Sequence, residues 1–257
     1  MNICIDVGNS TIGIGVFKDN KLIERKIIDT NLESTDEDFY QLFKGLFDDL
    51  SKEKEEITSV IYSSVVPQIN NYLLAGLKKL IEFEPLLIGP KTVTDLEIDV
   101  DNPSEIGNDL IADLVGAKEK YRFPCLIADL GTASKILLLD ETGTFTSCLI
   151  MPGLTLSAES LSNKAALLPE VPLTMPKTIM ASNTLSAMNA GVIYGHADMI
   201  LGLTKRYEEE LGYPCTHILT GGGAIYLKDI LQSDFIYDQN LTLDGLNIII
   251  NKNSKKE

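Results

Sequence analysis

The chain has 257 residues, 44% of them hydrophobic, which is enough to bury a substantial core and excludes a disordered protein. A net charge of −15 argues against a surface for DNA or RNA, and would repel a free nucleotide unless backbone amides, helix N-termini and a divalent cation offset it. No run approaches the roughly 18 consecutive apolar residues of a membrane helix, and the N-terminus lacks the order of a signal peptide. A soluble, cytoplasmic protein without nucleic-acid or membrane partners is therefore expected.

Three strands open the chain: Asn2 to Asn9, Ile12 to Phe17 and Leu22 to Ile28, the last two joined by a Lys18-Asp19-Asn20-Lys21 turn. Thr35 is a candidate helix cap. Behind it Phe39, Leu42, Phe43, Leu46, Phe47 and Leu50 recur on one helical face, which predicts a helix facing the core. A strand (TSVIYSS), a helix after Pro67, a strand (PLLIG) and a helix from about Ile106 to Tyr121 continue an alternating α/β pattern.

The pattern then restarts. Cys125 to Gly131, Ser134 to Leu139 and Thr144 to Met151 form a second three-strand meander, followed by helical stretches and a strand turn at His217 to Gly223. Both meanders begin with a matching turn, Asp6-Val7-Gly8-Asn9-Ser10-Thr11 and Asp129-Leu130-Gly131-Thr132-Ala133-Ser134, a domain-sized interval apart. This implies a duplicated α/β unit, with one domain over 1–120, a second over 121–257 and a cleft between them. Lys252 to Glu257 is expected to fray.

In each turn the glycine permits positive φ and close backbone approach, hydroxyl and amide groups can donate to phosphate, and the aspartate can hold a cation or its water. One Asp-x-Gly is most often a hairpin turn. Two in register at the heads of duplicated meanders point to phosphate chemistry. Gly8 to Gly13 has the spacing of a P-loop, but Ile14 and Gly15 stand where Lys and Ser or Thr are needed, and Gly13-Ile14-Gly15 lacks the third glycine of a dinucleotide fingerprint.

Thr220-Gly221-Gly222-Gly223-Ala224 follows a strand and precedes Ile225 to Leu231, where bare backbone at a helix start could receive a flat ligand such as adenine, or could simply be a turn. Asp109 falls in the first turn of a helix after Asn102-Pro103-Ser104-Glu105-Ile106-Gly107-Asn108. It either answers the helix dipole or accepts a substrate proton. Cys4, Cys125, Cys148 and Cys215 show no C-x-x-C spacing, with Cys4 and Cys125 read as core thiols, and two histidines leave little material for a metal site.

The runs IDVGNST, SSVVP, DNPSEIGND, IADLGTAS, Pro152-Gly153, LLPEV, NTLSAMNAG, LTGGGA and LTLDGLNII together resemble the type III pantothenate kinase family, also called the Bvg accessory factor family, in order along nearly the whole chain. The resemblance implies the duplicated actin-like ATPase (ribonuclease H-like) fold and ATP-dependent phosphorylation of pantothenate at its 4′-hydroxyl. It also implies magnesium, potassium or ammonium as a monovalent cation, and a homodimer whose partner closes the pocket. By this resemblance Asp6, Val7, Gly8, Asn9, Ser10, Thr11, Ile12 and Gly13 hold the ATP phosphates and magnesium, while Thr132, Gly221 and Gly222 touch nucleotide. Asp109 is the base, and Asp129, with no Lys or Arg immediately beside it in sequence, is the monovalent-cation ligand. Val100, Gly107, Asn108, Leu110 and Thr184 line the pantothenate pocket with Asp109.

The chain departs from the family pattern in three places: Leu110 replaces an arginine, Val100 replaces a tyrosine, and Lys135 and Leu137 replace a threonine and an aspartate. Lys135 is a candidate to restore the lost charge. A non-catalytic paralogue and a kinase for another small hydroxylated molecule are the alternatives to a pantothenate kinase.

Overall fold

The computed structural model describes residues 1–51, 56–89, 91–164, 168–169 and 172–254. Strands β1 (Asn2–Val7), β2 (Thr11–Lys18) and β3 (Lys21–Asp29) form the first meander. Its second turn has positive φ at Asp19 (48°) and Asn20 (64°), the geometry that lets a two-residue hairpin match strand twist and that Asp and Asn tolerate. Helix α1 (Asp36–Ser51) starts at Thr35, whose backbone N and Oγ1 donate to Asp38 Oδ2 at 2.8 and 2.7 Å. Those bonds, the backbone one foremost, hold the Asp38 carboxyl below its usual range. The stripe read from the sequence is the packed face of α1: Phe39, Phe43, Leu46 and Leu50 are buried.

β4 (Ser59–Ser64), α2 (Pro67–Lys78, with proline in its first turn) and β5 (Leu86–Leu87) complete a sheet of order β3-β2-β1-β4-β5. A 3-10 turn at Pro103–Glu105 leads into α3 (Asn108–Lys120). The second meander is β6 (Cys125–Leu130), β7 (Ala133–Leu139) and β8 (Phe145–Pro152). After it come α4 (Leu154–Lys164), α5 (Thr184–Leu211), β9 (Thr216–Thr220), α6 (Ala224–Leu227), β10 (Ile236–Tyr237) and α7 (Leu241–Ser254). The second sheet reads β8-β7-β6-β9-β10.

The two sheets have one topology. In each, the first strand pairs antiparallel with the second and parallel with the fourth, and the third pairs antiparallel with the second. The match extends to single hydrogen bonds. Just past the third strand, Thr30 N donates to Ser10 O at 2.9 Å in one copy and Gly153 N to Thr132 O at 3.1 Å in the other. Past the fourth, Val65 N donates to Val7 O at 3.0 Å and Gly223 N to Leu130 O at 2.7 Å.

The chain divides into two compact units, residues 1–95 with 104–116 and 241–257, and residues 96–103 with 117–240. This differs from a single cut near residue 120, because α7 packs on β1, β2 and β4. Alternation explains how one sheet serves both sides: Ile3, Ile5 and Val7 join α1 and α2 in the core, while Asn2 donates from the other face to Asn247 Oδ1 of α7 at 2.9 Å. In the second unit Leu126, Ala128 and Leu130 form the core with α5 and α6. Cys4 and Cys125 are buried, and burial pushes the Cys125 thiol up to about 12. Two expectations shift: the helix foreseen over Ile225 to Leu231 is the four-residue α6, and α7 extends to Ser254 through residues expected to fray, 255–257 lying outside the described residues. Of the LLPEV run only Leu168 and Pro169 are described.

Helix α7 meets α3 backbone to backbone. A Cβ on Gly245 would collide with the Ala112 carbonyl, and one on Gly116 would lie 2.6 Å from Leu241 O. Beside this contact Thr242 Oγ1 donates to buried Asp113 at 2.6 Å. Gly245→Ala is expected to lower unfolding stability by about 3 kcal/mol, since overpacking against backbone cannot be relieved by a rotamer change. Gly202→Ala, at an exposed α5 position with open space around it, should instead add up to about 1 kcal/mol. Urea unfolding midpoints check both.

Candidate active site

Asp6 lies near the end of β1, half-buried, level with Gly13 on β2 and Ser63 on β4. Ser63, fully buried, donates its hydroxyl to Asp6 Oδ1. This orients the carboxylate, a role the sequence signalled only through the Ser-Ser pair that ends β4. The turn beyond Val7 is closed by Gly8 N donating to Thr11 O at 2.9 Å, and Thr30 Oγ1 donates to Gly8 O at 2.7 Å. Asn9, Ser10 and Thr11 are exposed, whereas Val7 and Ile12 are buried anchors at the base of the turn. The donor set, a carboxylate with amide and hydroxyl groups on a fixed turn, suits a phosphate chain and its divalent cation.

The positive φ foreseen for the turn glycines is absent at Gly8 and Gly131. Gly8 instead needs room, since a Cβ there would stand 3.1 Å from Thr11 O, whereas a Cβ on Gly131 would meet only ordinary contact, 3.4 Å from Ala133 O. In the second unit Gly131 and Thr132 form the exposed turn, and a Cβ on Gly153 would collide with both their carbonyls. That contact gives the Pro152-Gly153 pair a physical reason.

Asp129, buried on β6, is level with Lys135 on β7 and Thr220 on β9. Lys135 Nζ donates to Asp129 Oδ2 at 2.9 Å, with the two side chains only 16% and 12% exposed. Gly221, at φ 87°, is pressed against this strand; its Cβ would lie 2.5 Å from Asp129 Oδ1 and 2.6 Å from Leu130 N. Gly223 is similarly close to Leu130 O at 2.9 Å, and only Gly222 faces open space. The Gly-Gly-Gly run is thus mostly a packing device, with Gly222 as its one free face. Next to it, Thr155, Ala158, Glu159 and Ser162 of α4 with Pro172, Leu173 and Tyr226 line a cavity of about 450 Å³.

Asp109 is the second residue of α3 and half-buried. A Cβ on Gly107 would collide with its Oδ1, so the carboxylate folds back over Gly107, whose carbonyl accepts from Ile111 N at 3.2 Å. Asn108 begins the helix, and Leu110 is buried, 8% exposed. Val100 is a half-buried residue of a bend in the second unit. Thr184 is exposed in the first turn of α5, where Asn183 and Ser186 form a capping box. Among the described residues no three His, Cys, Asp or Glu side chains gather as a metal cluster. No described helix is long and apolar enough to cross a membrane.

The family model for type III pantothenate kinase matches residues 2–206. The chain belongs to the type III pantothenate kinase family. A type III pantothenate kinase of Syntrophus aciditrophicus is 36% identical over 254 residues, covering 99% of this chain and all of that protein. One of Exiguobacterium sibiricum is 37% identical over 253 residues, covering 98% and all. Among solved structures, the activator of 2-hydroxyisocaproyl-CoA dehydratase from Clostridium difficile with bound ADPNP covers all of this chain and 98% of its own at a TM-score of 0.53 and 11% identity. With the doubled sheets, that likeness establishes the α/β, duplicated actin-like ATPase (ribonuclease H-like) fold of this family member.

Two glycines of one run should separate cleanly. Gly221→Ala is expected to cost roughly 2–4 kcal/mol, from left-handed strain together with a backbone collision, whereas Gly222→Ala should leave stability within about 1 kcal/mol of the parent. Thermal unfolding of the two variants checks the division.

Proposed function

We propose that the chain phosphorylates pantothenate at its 4′-hydroxyl with ATP, the first step toward coenzyme A. The family membership, spanning the chain nearly end to end, carries the reading. The doubled Asp turn supplies its chemistry. Asp6 and the turn Val7-Gly8-Asn9-Ser10-Thr11-Ile12-Gly13 hold the ATP phosphates, with Val7 and Ile12 fixing the turn from the core. Magnesium, when bound, neutralises phosphate charge. Thr132 donates to phosphate. Gly222, on the open side of its run, and Gly221, which shapes it, belong to the nucleotide site, and the cavity flanked by Tyr226 and Leu173 is of a size to take the base.

Asp109 accepts the hydroxyl proton as the substrate oxygen bonds to the γ-phosphorus and the bond from that phosphorus to the ADP oxygen breaks. Gly107, by leaving room for the folded-back carboxylate, sets its orientation. The family resemblance assigns pantothenate contacts to Val100, Asn108, Leu110 and Thr184. A homodimer in the cytoplasm, without nucleic-acid or membrane partners, fits this role.

A coupled assay with ATP, magnesium and pantothenate tests the function; folded protein that yields no phosphopantothenate under any salt condition overturns it. Asp109→Asn keeps shape but removes the proton acceptor, so turnover is expected to fall by about two to four orders of magnitude with unchanged melting temperature. Near-normal turnover would return Asp109 to helix capping.

A second reading, preference for a neutral relative of pantothenate, is favoured by Leu110, an apolar buried residue next to the proposed base. Losing a charge-assisted contact in a water-poor site costs on the order of 2–4 kcal/mol, or a factor of about 30 to 1,000 in efficiency. Leu110→Arg is therefore expected to raise kcat/KM for pantothenate more than for a neutral pantothenamide. Equal effects on both substrates would remove this reading.

A further inference from the structure

We infer that Lys135 is a tethered cation that takes the place of the monovalent cation at Asp129, so that the second phosphate turn works without potassium or ammonium. The inference rests on the kinase reading only for its activity measurement. Its basis is the hairpin register. Asp129 and Lys135 are direct cross-strand partners on β6 and β7, with Lys135 Nζ 2.9 Å from Asp129 Oδ2. At this spacing an alkylammonium makes a charge-assisted hydrogen bond to a carboxylate.

Burial makes the pair a fixed feature of the fold. The side chains are 16% and 12% exposed, unlike the solvated pairs of Lys79 at the end of α2 or Lys205 on α5, where at least one partner is more than half exposed in Lys79–Glu37 and Lys205–Glu209. An ion pair so far from bulk water is screened little by salt and is strongly destabilised by loss of either partner. On the other side of the carboxylate, Asp129 Oδ1 is crowded by Gly221, whose backbone leaves no room for even a methyl group. A potassium ion needs several oxygen ligands around it, whereas one oxygen of Asp129 already accepts from an ammonium and the other is packed against Gly221. The donor set does not fit the ion that the family resemblance assigns to it.

The duplicated copy supplies an internal control. Asp6 holds the position of Asp129 in the first sheet, and its cross-strand partner is Gly13, which has no side chain. Two copies of one scaffold thus differ in charge at the same register: an aspartate opposite glycine, suited to an exogenous cation, and an aspartate opposite lysine, supplied with its own. A lysine ammonium and an ammonium ion present the same charge and N–H donors of the same kind, three in place of four, so the replacement keeps the charge while removing the need to recruit an ion. The covalent tether also removes the ordering cost of binding a free ion.

The test compares the parent and Lys135→Thr in buffers containing only sodium, potassium, ammonium or tetramethylammonium as monovalent cation at equal ionic strength. Melting temperature is read by calorimetry and turnover by phosphopantothenate formation with magnesium and ATP. The parent is expected to melt within about 1 °C and turn over within about twofold in all four. Lys135→Thr is expected to melt higher in potassium and ammonium than in tetramethylammonium, and to gain at least about tenfold in turnover from those ions. A parent that is stabilised or activated specifically by potassium overturns the inference, as does a folded Lys135→Thr protein as indifferent to the ions as the parent. If Lys135→Thr does not fold, Lys135→Gln replaces it; if neither folds, the parent series decides alone. Failure of the kinase reading appears separately, as absence of product in every salt while the melting comparison still reports on Lys135.

Discussion

Much of the first unit depends on a contact with no side chains in it, the place where the backbone of α7 lies against the backbone of α3. Gly245 and Gly116 allow it, and a single added methyl on Gly245 would meet the Ala112 carbonyl. Through this contact the final helix fixes α3, whose first turn carries Asp109. Through Asn247 and Asn251 it also fixes Asn2 at the head of β1, the strand that carries Asp6. Two acids far apart in sequence thus share one support. Because that support comes from residues 241–254, the first unit gains its full set of contacts only when the end of the chain is in place. This is a long-range closure of the kind that slows folding relative to local contacts.

Duplication gives the protein two copies of one scaffold, and the differences between them are more informative than the similarities. Strand order, pairing directions and the hydrogen bonds that close each turn are held in common. The positions around each aspartate are not. Ser63 donates to Asp6, whereas Thr220 stands level with Asp129; Gly13 faces the first acid and Lys135 the second. A repeated backbone fixes where a carboxylate will stand, and the cross-strand neighbour decides what that carboxylate can hold.

How far all this was legible follows from the range of the signals. Strands and helices rich in buried apolar residues, such as β1, β2 and α1, were readable because each residue's burial depends on neighbours a few positions away. So was the doubling, since the Asp turns repeat in plain sequence. The membership of α7 in the first unit was not, because nothing local in LTLDGLNII says which sheet it will cover. The pairing of Lys135 with Asp129 was not legible for a subtler reason. The lysine is not adjacent to Asp129 in sequence, yet the two are equally far from Thr132, and folding the hairpin about that residue would have paired them. The three glycines at 221–223 likewise suggested a bare surface for a ligand, whereas two of them are spent on contact with Leu130.

The pairing of Lys135 also decides how the two main departures from the family pattern relate. It is tempting to let the lysine gained at 135 offset the arginine lost at 110, since both changes concern one positive charge. An ammonium 2.9 Å from a buried carboxylate, however, forms a nearly neutral dipole with it, and the field of a dipole falls away much faster than that of a lone charge. Its attraction for a second anion is largely cancelled by the repulsion from Asp129. Drawing Lys135 away to meet a substrate carboxylate would leave Asp129 buried and unpaired, a loss comparable to the gain. Lys135 therefore answers the charge of the neighbouring strand, and the chemistry of the group that meets Leu110 is an independent question of substrate recognition.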